Sequence, residues 1–242
     1  MQLASLLMAG KLTALVSYFS WAYLVVFLPV SIIIYSVLPQ KCKKYFLLLA
    51  SYGFFWLISG KLVAYLLLAT VSVHYYGIWI ERIKSERDAA LKLAEKESKK
   101  ALRAGYTRKS RLVLLMSAVT LVGTLLTLKY SPFFVTNINT LLCRFGFSFC
   151  LKIPSYAIPI GISFFTLQAV SYVFDVHRGE IKADGNLLRL ALFMSFFPQI
   201  VEGPICRYEE TATQLWNVKQ IQFSNLKFGL QRILFGMMKK IV

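Results

Sequence analysis

Two histidines, a carboxylate set between prolines and a few charged residues on apolar segments are the groups in this 242-residue sequence whose chemistry could matter. Asp175 and His177 lie two positions apart and are followed by Arg178. A carboxylate can fix an imidazole tautomer, so this trio could orient a general base. The same residues also fit the charged exit of a membrane helix, and that plainer reading is preferred. Downstream, Gln199, Glu202 and Arg207 surround a turn broken by Pro198 and by Gly203-Pro204. A carboxylate among apolar residues needs an ionic partner or a wet cavity, and Arg207, five residues on, is the nearest cation. Cavity lining and simple ion pairing both remain open for this group. His74 sits beside Tyr75 and Tyr76 in an apolar run, where a hydrogen bond to a neighbouring helix is preferred to a catalytic role. Cys42, Cys143, Cys150 and Cys206 show no metal-ligand spacing. Cys143 and Cys150 could pair, although free thiols in an apolar setting are the favoured reading. No nucleophile elbow, P-loop, dinucleotide fingerprint or HExxH is present.

The segment that must position these groups runs from Pro159 to Arg207: PIGISFFTLQAVSYVFDVHRG, a short polar link, then LLRLALFMSFFPQIVEGPICR. It is apolar enough for a bilayer, yet it carries Gln168, Asp175, His177, Arg178, Arg189, Gln199, Glu202 and Arg207. Ionisable groups and irregular backbone at membrane depth are tolerated only where protein or a water-filled cavity surrounds them. This segment is therefore expected to line an internal passage, with Gln168, Asp175, His177, Pro198, Gln199, Glu202, Gly203, Pro204 and Arg207 as its lining.

The rest of the chain defines the class. Hydrophobic residues make up 57% of it and charged residues 16%, well under the roughly 25% charged of a soluble domain; mean hydropathy is +0.59. Apolar runs reach the roughly 18 to 20 residues that cross a hydrocarbon core. An all-α, polytopic helical membrane protein is expected, with about five to seven membrane-embedded helices, some broken or re-entrant. A net charge of +17 would suggest nucleic acid in a soluble protein. Here the cations cluster between apolar runs and point instead to membrane orientation and anionic headgroups, so nucleic acid is set aside.

In order, spans are expected from about Tyr18 to Leu38, from Tyr45 to Ser59, and on to about Ile80. Pro39 to Lys44 forms a basic turn after the first span, and no acidic residue occurs in the first 80 positions. Glu81 to Arg111 holds eleven Lys/Arg against five acids. It reads as a basic cytoplasmic insertion, a solvated helix on the headgroups, with Asp88/Lys92 and Glu95/Lys99 at helical spacing. Two basic loops separated by two spans share the cytoplasmic side, which places the amino terminus outside. A fourth span covers Leu112 to Tyr130. Ser131 to Ser155, interrupted by Pro132 and Pro154, is expected on the outer face. Tyr156 to Val176 returns, and Asn186 to Val201, only 16 residues, enters without clearly crossing. Phe223 to Val242 places Phe223, Leu226, Leu230, Ile233, Leu234, Met237 and Ile241 on one helical face. The chain stops within an apolar run, which suggests a truncated protein.

PIGISFFTLQAVSYVFDVHRG and SFFPQIVEGPICR, together with the opening FLPVSIIIYSVLP, LLLASYGFFW and the closing FGMMKKIV, resemble the membrane-bound O-acyltransferase family. The bacterial branch of alginate O-acetyltransferase and the D-alanyl transfer protein is the most similar. The likeness runs over nearly the whole chain and implies a single domain, residues 1–242, corresponding to the family's amino-terminal half. It also implies an enzyme of the multi-pass bacterial inner membrane. Such an enzyme moves an acyl group, preferably acetyl, from a cytoplasmic donor to hydroxyls of an extracytoplasmic polysaccharide or wall polymer. D-alanylation of teichoic acid is the alternative. The expected partners are the bilayer, that polymer and other envelope acetylation proteins. No bound cofactor is expected, only the acyl donor as co-substrate, free or on a carrier. The family's base histidine belongs to a motif downstream of the closing helix; neither His74 nor His177 matches it, so no catalytic residue is expected in this chain. Glu202 stands where a small residue is equally expected. From other classes, a transporter or an export scaffold would also use broken charged segments, though no internal repeat favours the transporter.

Overall fold

The computed structural model describes residues 22–94, 98–145, 149, 151–154, 158–201, 203–218 and 220–241. Glu202, Glu95 and Cys150 lie outside the described residues, as does most of the first expected span before Ala22. Among the described residues the chain is helical, without strands. A π-helical turn, Ala22–Phe27, leads into α1 (Leu28–Val37). Helix α2 (Gln40–Ser59) follows after two residues, then a 3-10 turn, Gly60–Leu62, and α3 (Val63–Leu93). Helix α4 (Ser98–Leu125) runs through a π-helical turn, Leu126–Tyr130, into α5 (Ser131–Arg144). The carboxyl-terminal part holds α6 (Ile162–Arg178), α7 (Leu187–Ser195), α8 (Tyr208–Trp216) and α9 (Phe223–Ile241).

Two helical stretches, Gln40–Leu93 and Ser98–Arg144, are long and apolar enough to cross a membrane, against the five to seven embedded helices expected. Part of the difference is that Gln40–Leu93 holds both α2 and α3; the rest lies in length, since α1, α6 and α7 have 10, 17 and 9 residues, short of the roughly 20 needed at 1.5 Å per residue. The bundle's outer surface is nevertheless strongly apolar. Leu49, Leu68 and Val119 are 73%, 65% and 71% exposed, on the outer faces of α2, α3 and α4. Apolar surface on this scale is foreign to a water-exposed monomer and fits a lipid contact.

Three boundaries differ from expectation for local physical reasons. The basic turn Pro39–Lys44 is no loop: Pro39 is the N-cap of α2, so Lys41, Lys43 and Lys44 occupy the helix's first turns. Glu81–Arg111 is not a separate lobe. Helix α3 runs on through it to Leu93 and α4 starts at Ser98, and Ile83 and Ser110 are buried between helices. Among the described residues its ion pairs are Arg82–Glu86 and Arg87–Asp88, so Asp88 pairs with Arg87 and not with Lys92. Ser131–Arg144 continues the preceding helix instead of breaking. Pro132 follows directly on the π-helical turn Leu126–Tyr130, the kind of local irregularity by which a continuous helix accommodates a residue that lacks an N–H.

The core lies where α3, α4 and α6 meet. Helices α3 and α4 are antiparallel, tied by a 3.0 Å bond between the Tyr76 and Thr120 hydroxyls. Helix α6 runs antiparallel to α4. Lys129 donates to Ser163 at 3.1 Å near the start of α6, and Ser110 meets His177 near its end. Short helix α7 is enclosed by the bundle, every residue from Leu190 to Ser195 buried. Its start is capped by Asn186, whose Oδ1 accepts from the amides of Leu188 (3.0 Å) and Arg189 (3.3 Å).

Gly77 allows α3 and α6 to close: a Cβ there would lie 3.2 Å from the Tyr172 ring. Gly77→Val is expected to lower stability by about 1–3 kcal/mol through overpacking, whereas Gly53→Ala, with nothing within 4 Å, should be neutral or slightly stabilising. Thermal unfolding of the two variants in one detergent checks this; equal Tm values would count against the packing described.

Candidate functional site

The two motif segments of the sequence cross each other at the start of α6. Gly161, at φ +75°, ends an irregular approach from Pro159, and Phe165 N–H then donates to its carbonyl at 3.1 Å to begin the helix. A Cβ on Gly161 would overlap the carbonyl oxygen of Ile200. Only glycine meets both demands, the left-handed conformation and the backbone approach. The opposing segment turns tightly through Pro198: the amides of Gln199 and Ile200 donate to Phe196 O at 3.0 and 3.1 Å, and Gly203 N–H donates to Gln199 O at 2.9 Å. A Cβ on Gly203 would overlap Gln199.

Irregular backbone needs partners, and α2 supplies them. Ser51 Oγ accepts from Phe197 N–H at 3.2 Å and Ser59 Oγ from Ile160 N–H at 3.3 Å, so two serines two turns apart hold both segments. Gln168 and Gln199 converge on one carbonyl, Phe193 O, donating from Nε2 at 3.0 and 3.4 Å. That carbonyl lies in the last turn of α7, where the helix leaves its acceptors unfilled.

A second polar group, with no counterpart among the sequence expectations, lies at the opposite end of α6. Asp184 is 3% exposed. Its carboxylate accepts from Arg189, from the Tyr208 hydroxyl and, at 2.8 Å, from Asn186 N–H. Its own amide donates to the Tyr172 hydroxyl at 2.8 Å. Tyr208 packs edge-on against Tyr172 (4.8 Å between centroids) and Phe193 (5.0 Å). Burial alone would raise the Asp184 carboxyl, but the bonds from Arg189, Tyr208 and Asn186 outweigh it and hold the group below the ordinary carboxylate range. This node joins α6, α7, α8 and the 179–186 link.

His177 and Asp175 face different neighbours. His177 Nδ1 lies 2.8 Å from Ser110 Oγ on α4. Burial, with Lys84 and Arg111 nearby, lowers the imidazole from its ordinary value and keeps it neutral near pH 7. Asp175, buried, instead feels Glu180, Arg207 and Arg178, so the carboxylate does not orient the imidazole. The helix ends there at Gly179, φ +87°, whose amide donates to Asp175 O at 3.0 Å, while Lys84 Nζ takes Val176 O. A serine beside a neutral histidine is a nucleophile–base arrangement in form. Ser110 is 5% exposed, however, and the pair reads as a tie between α4 and α6.

Gln168, Asp175 and Gln199 are thus buried, His177, Pro198 and Gly203 half-buried, and Pro204 and Arg207 exposed; Glu202 is outside the described residues. His74 is buried on α3, and its Nδ1 has no hydrogen-bond partner among the described residues. No group of three or more potential metal ligands occurs among the described residues. A cleft of about 760 Å³ opens on the other side of the crossing, walled by α1, α2, Phe196, Phe197 and the end of α8. None of the expected lining residues is on its wall.

Comparison with known proteins brings three relatives into view. The chain is 30% identical over 222 residues to the probable alginate O-acetylase of Pseudomonas aeruginosa, covering 90% of this chain and 38% of that protein. It is 27% identical to the peptidoglycan O-acetyltransferase of Helicobacter pylori, covering 91% of this chain and 43% of that protein. To the teichoic acid D-alanyltransferase of Bacillus subtilis it is 30% identical over 87 residues, covering 34% of this chain and 22% of that protein. The chain therefore spans about two-fifths of the length of the acetylating relatives. No family model matches it, and no solved structure does.

Two outcomes follow from the geometry. Asp184→Asn removes the charge from a buried pair whose Arg189 side chain is 37% exposed. The expected loss is about 2–3 kcal/mol, below the full buried-pair cost because water screens the arginine; denaturation with Glu210→Gln as a surface control measures it. The His177 imidazole has a folded pKa below its unfolded value of about 6.5, so the unfolded chain takes the proton first. Its contribution is intact above that value, and stability falls as pH drops below it, until the folded-state pKa is passed. A His177→Gln variant should lose that part of the slope of Tm between pH 7.5 and 5; an unchanged slope would argue against a depressed imidazole.

Proposed function

Because the chain is homologous over nine-tenths of its length to proteins of the membrane-bound O-acyltransferase family, we propose that it forms part of a membrane O-acyltransferase. The reaction is acyl transfer, preferably acetyl, from a cytoplasmic donor to hydroxyl groups of an extracytoplasmic polysaccharide or wall polymer. The observation that carries the reading is the coverage of both crossing segments by relatives named for O-acetylation. Acetyl is preferred over D-alanyl because the two acetylating relatives match nine-tenths of the chain and the D-alanyltransferase only 34%.

The chain's own residues fit a scaffold role in this reaction. Gly161, Gly203, Ser51 and Ser59 hold the irregular crossing, and Gln168 and Gln199 fill the α7 carbonyl beside it. A hydroxyl acceptor needs a base to remove its proton. His177 is tied to Ser110 and His74 is enclosed in the bundle, so we assign the base to a residue outside this sequence. The donor is a co-substrate, free or on a carrier protein.

We place the protein in the bacterial inner membrane as a multi-pass protein of five to seven embedded helices. The first turns of α2 and the polar end of α3, with Lys41–Lys44 and Glu81–Leu93, then face the cytoplasm. The hairpin of α2 and α3 supports that orientation, since it brings both basic stretches to one end of the bundle.

Deletion of the gene that carries this sequence, followed by alkaline release from isolated envelope polymers, tests the reading. Loss of released acetate, restored by the intact gene, is expected. Loss of D-alanine instead would favour the alternative acyl group, and no change in either would overturn acyl transfer.

A further inference from the structure

The first turns of α2 hold an unusual concentration of positive charge. Lys41, Lys43 and Lys44 stand at a helix N-terminus with no acidic residue in its first turn, so the helix dipole adds to the lysines instead of offsetting them. Lys43 is 3% exposed, and its ammonium lies 4.7 Å from the centroid of the Tyr35 ring. Lys44 lies over Trp216 at 4.5 Å. None of the three forms a salt bridge among the described residues. Glu209 and Glu210, the acids in the neighbouring helix α8, sit in its first turn, while Trp216 ends it; that is about 9 Å away along the axis. Three lysines side by side with no acid in the same turn favour an anionic ligand at a membrane surface.

The space around Lys43 shows what kind. A cleft of about 570 Å³ is lined by Lys43, Gln40, Ser36 and Phe223. It shares Ile221 with the larger cleft of about 760 Å³, where Tyr35, Leu47, Phe196 and Phe197 form the wall. A polar, cationic compartment therefore adjoins an apolar one, with Tyr35 beneath the ammonium and on the wall of the second. Sites of this size accommodate a ligand of drug-like or lipid-chain dimensions. The adjacent outer face of α1 exposes Ile33 and Val37, so the apolar compartment is continuous with a lipid-type surface.

We propose that the α1–α2 turn is a binding site for an anionic phospholipid, its phosphate at Lys43 and one acyl chain in the cleft walled by Tyr35, Leu47, Phe196 and Phe197. A free phosphate would leave the apolar compartment without a role. A zwitterionic lipid would bring its own cation against three lysines. The acyl chain would rest on Phe196 and Phe197, the residues just before Pro198, so the lipid would contact the segment that turns into the crossing. The inference rests on a membrane setting and not on acyl transfer, so it can fail while the proposed activity stands.

The test is thermal unfolding of the purified full-length protein that carries this sequence, in neutral detergent, with added phosphatidylglycerol, with phosphatidylcholine of the same chains, or with inorganic phosphate alone. Phosphatidylglycerol should raise Tm by several degrees in a saturable way, and the other two should not. Lys43→Met should abolish the shift. Should that variant not fold, Leu47→Trp, which fills the apolar compartment, should abolish it while leaving the turn's charge intact. An equal response to phosphatidylcholine, the same shift from phosphate alone, or a full phosphatidylglycerol response in the folded variants would overturn the site.

Discussion

Where Gly161 meets the carbonyl of Ile200, two irregular stretches of backbone touch without a side chain between them. The contact sets the position of much else. It fixes where α6 begins, and so brings Gln168, two turns along, under the carbonyl of Phe193. It also pins the chain just after Pro198, so that Gln199 reaches the same carbonyl from the other side. Away from water, each unpaired backbone group costs several kcal/mol. The crossing persists because Ser51 and Ser59 of α2 accept its amides and the turn bonds to itself at Gly203.

At the far end of α6 the problem is solved with charge instead of close approach. Asp184 collects Arg189, Tyr208 and the Asn186 amide, and its own amide is taken by Tyr172. A buried ion pair is weak as a source of stability, but losing one partner is costly, so the node holds its elements in a single arrangement. Helix α7 lies between the two sites, capped by Asn186 at one end and met by the glutamines at the other. A nine-residue helix fixed in this way is a rigid strut. It suits a protein that must hold non-helical backbone in place inside a bundle.

The same logic explains which residues could be read in advance. Pro198 and Gly203-Pro204 announce a broken segment because their backbone chemistry is local, and the structure breaks there. Gln168 and Gln199 stand out because an amide in an apolar run needs a partner; that they share one carbonyl depends on how α6 and α7 pack. Asp184 was not legible in this way. It lies in a short polar link that looks like a connector, and its side-chain partners come from five residues away on α7 and from 24 residues away on α8. His177 and Asp175 are neighbours in sequence but look toward α4 and toward Arg207 respectively, since positions two apart do not share a helical face. The lysines after Pro39 suggested a loop because charge and proline are common there. A proline that caps a helix carries the same signature.

Composition and periodicity were enough to establish a helical protein with a lipid-compatible surface and to mark the broken backbone at Pro198. These properties are additive over residues or depend on neighbours a few positions apart, so they survive without coordinates. The pairing of Gly161 with Ile200, the gathering of α6, α7 and α8 around Asp184 and the burial of Lys43 above Tyr35 were decided only by the tertiary structure. Each depends on the approach of elements distant in sequence or on the shape of the space they enclose, and neither is a property of any one stretch of chain.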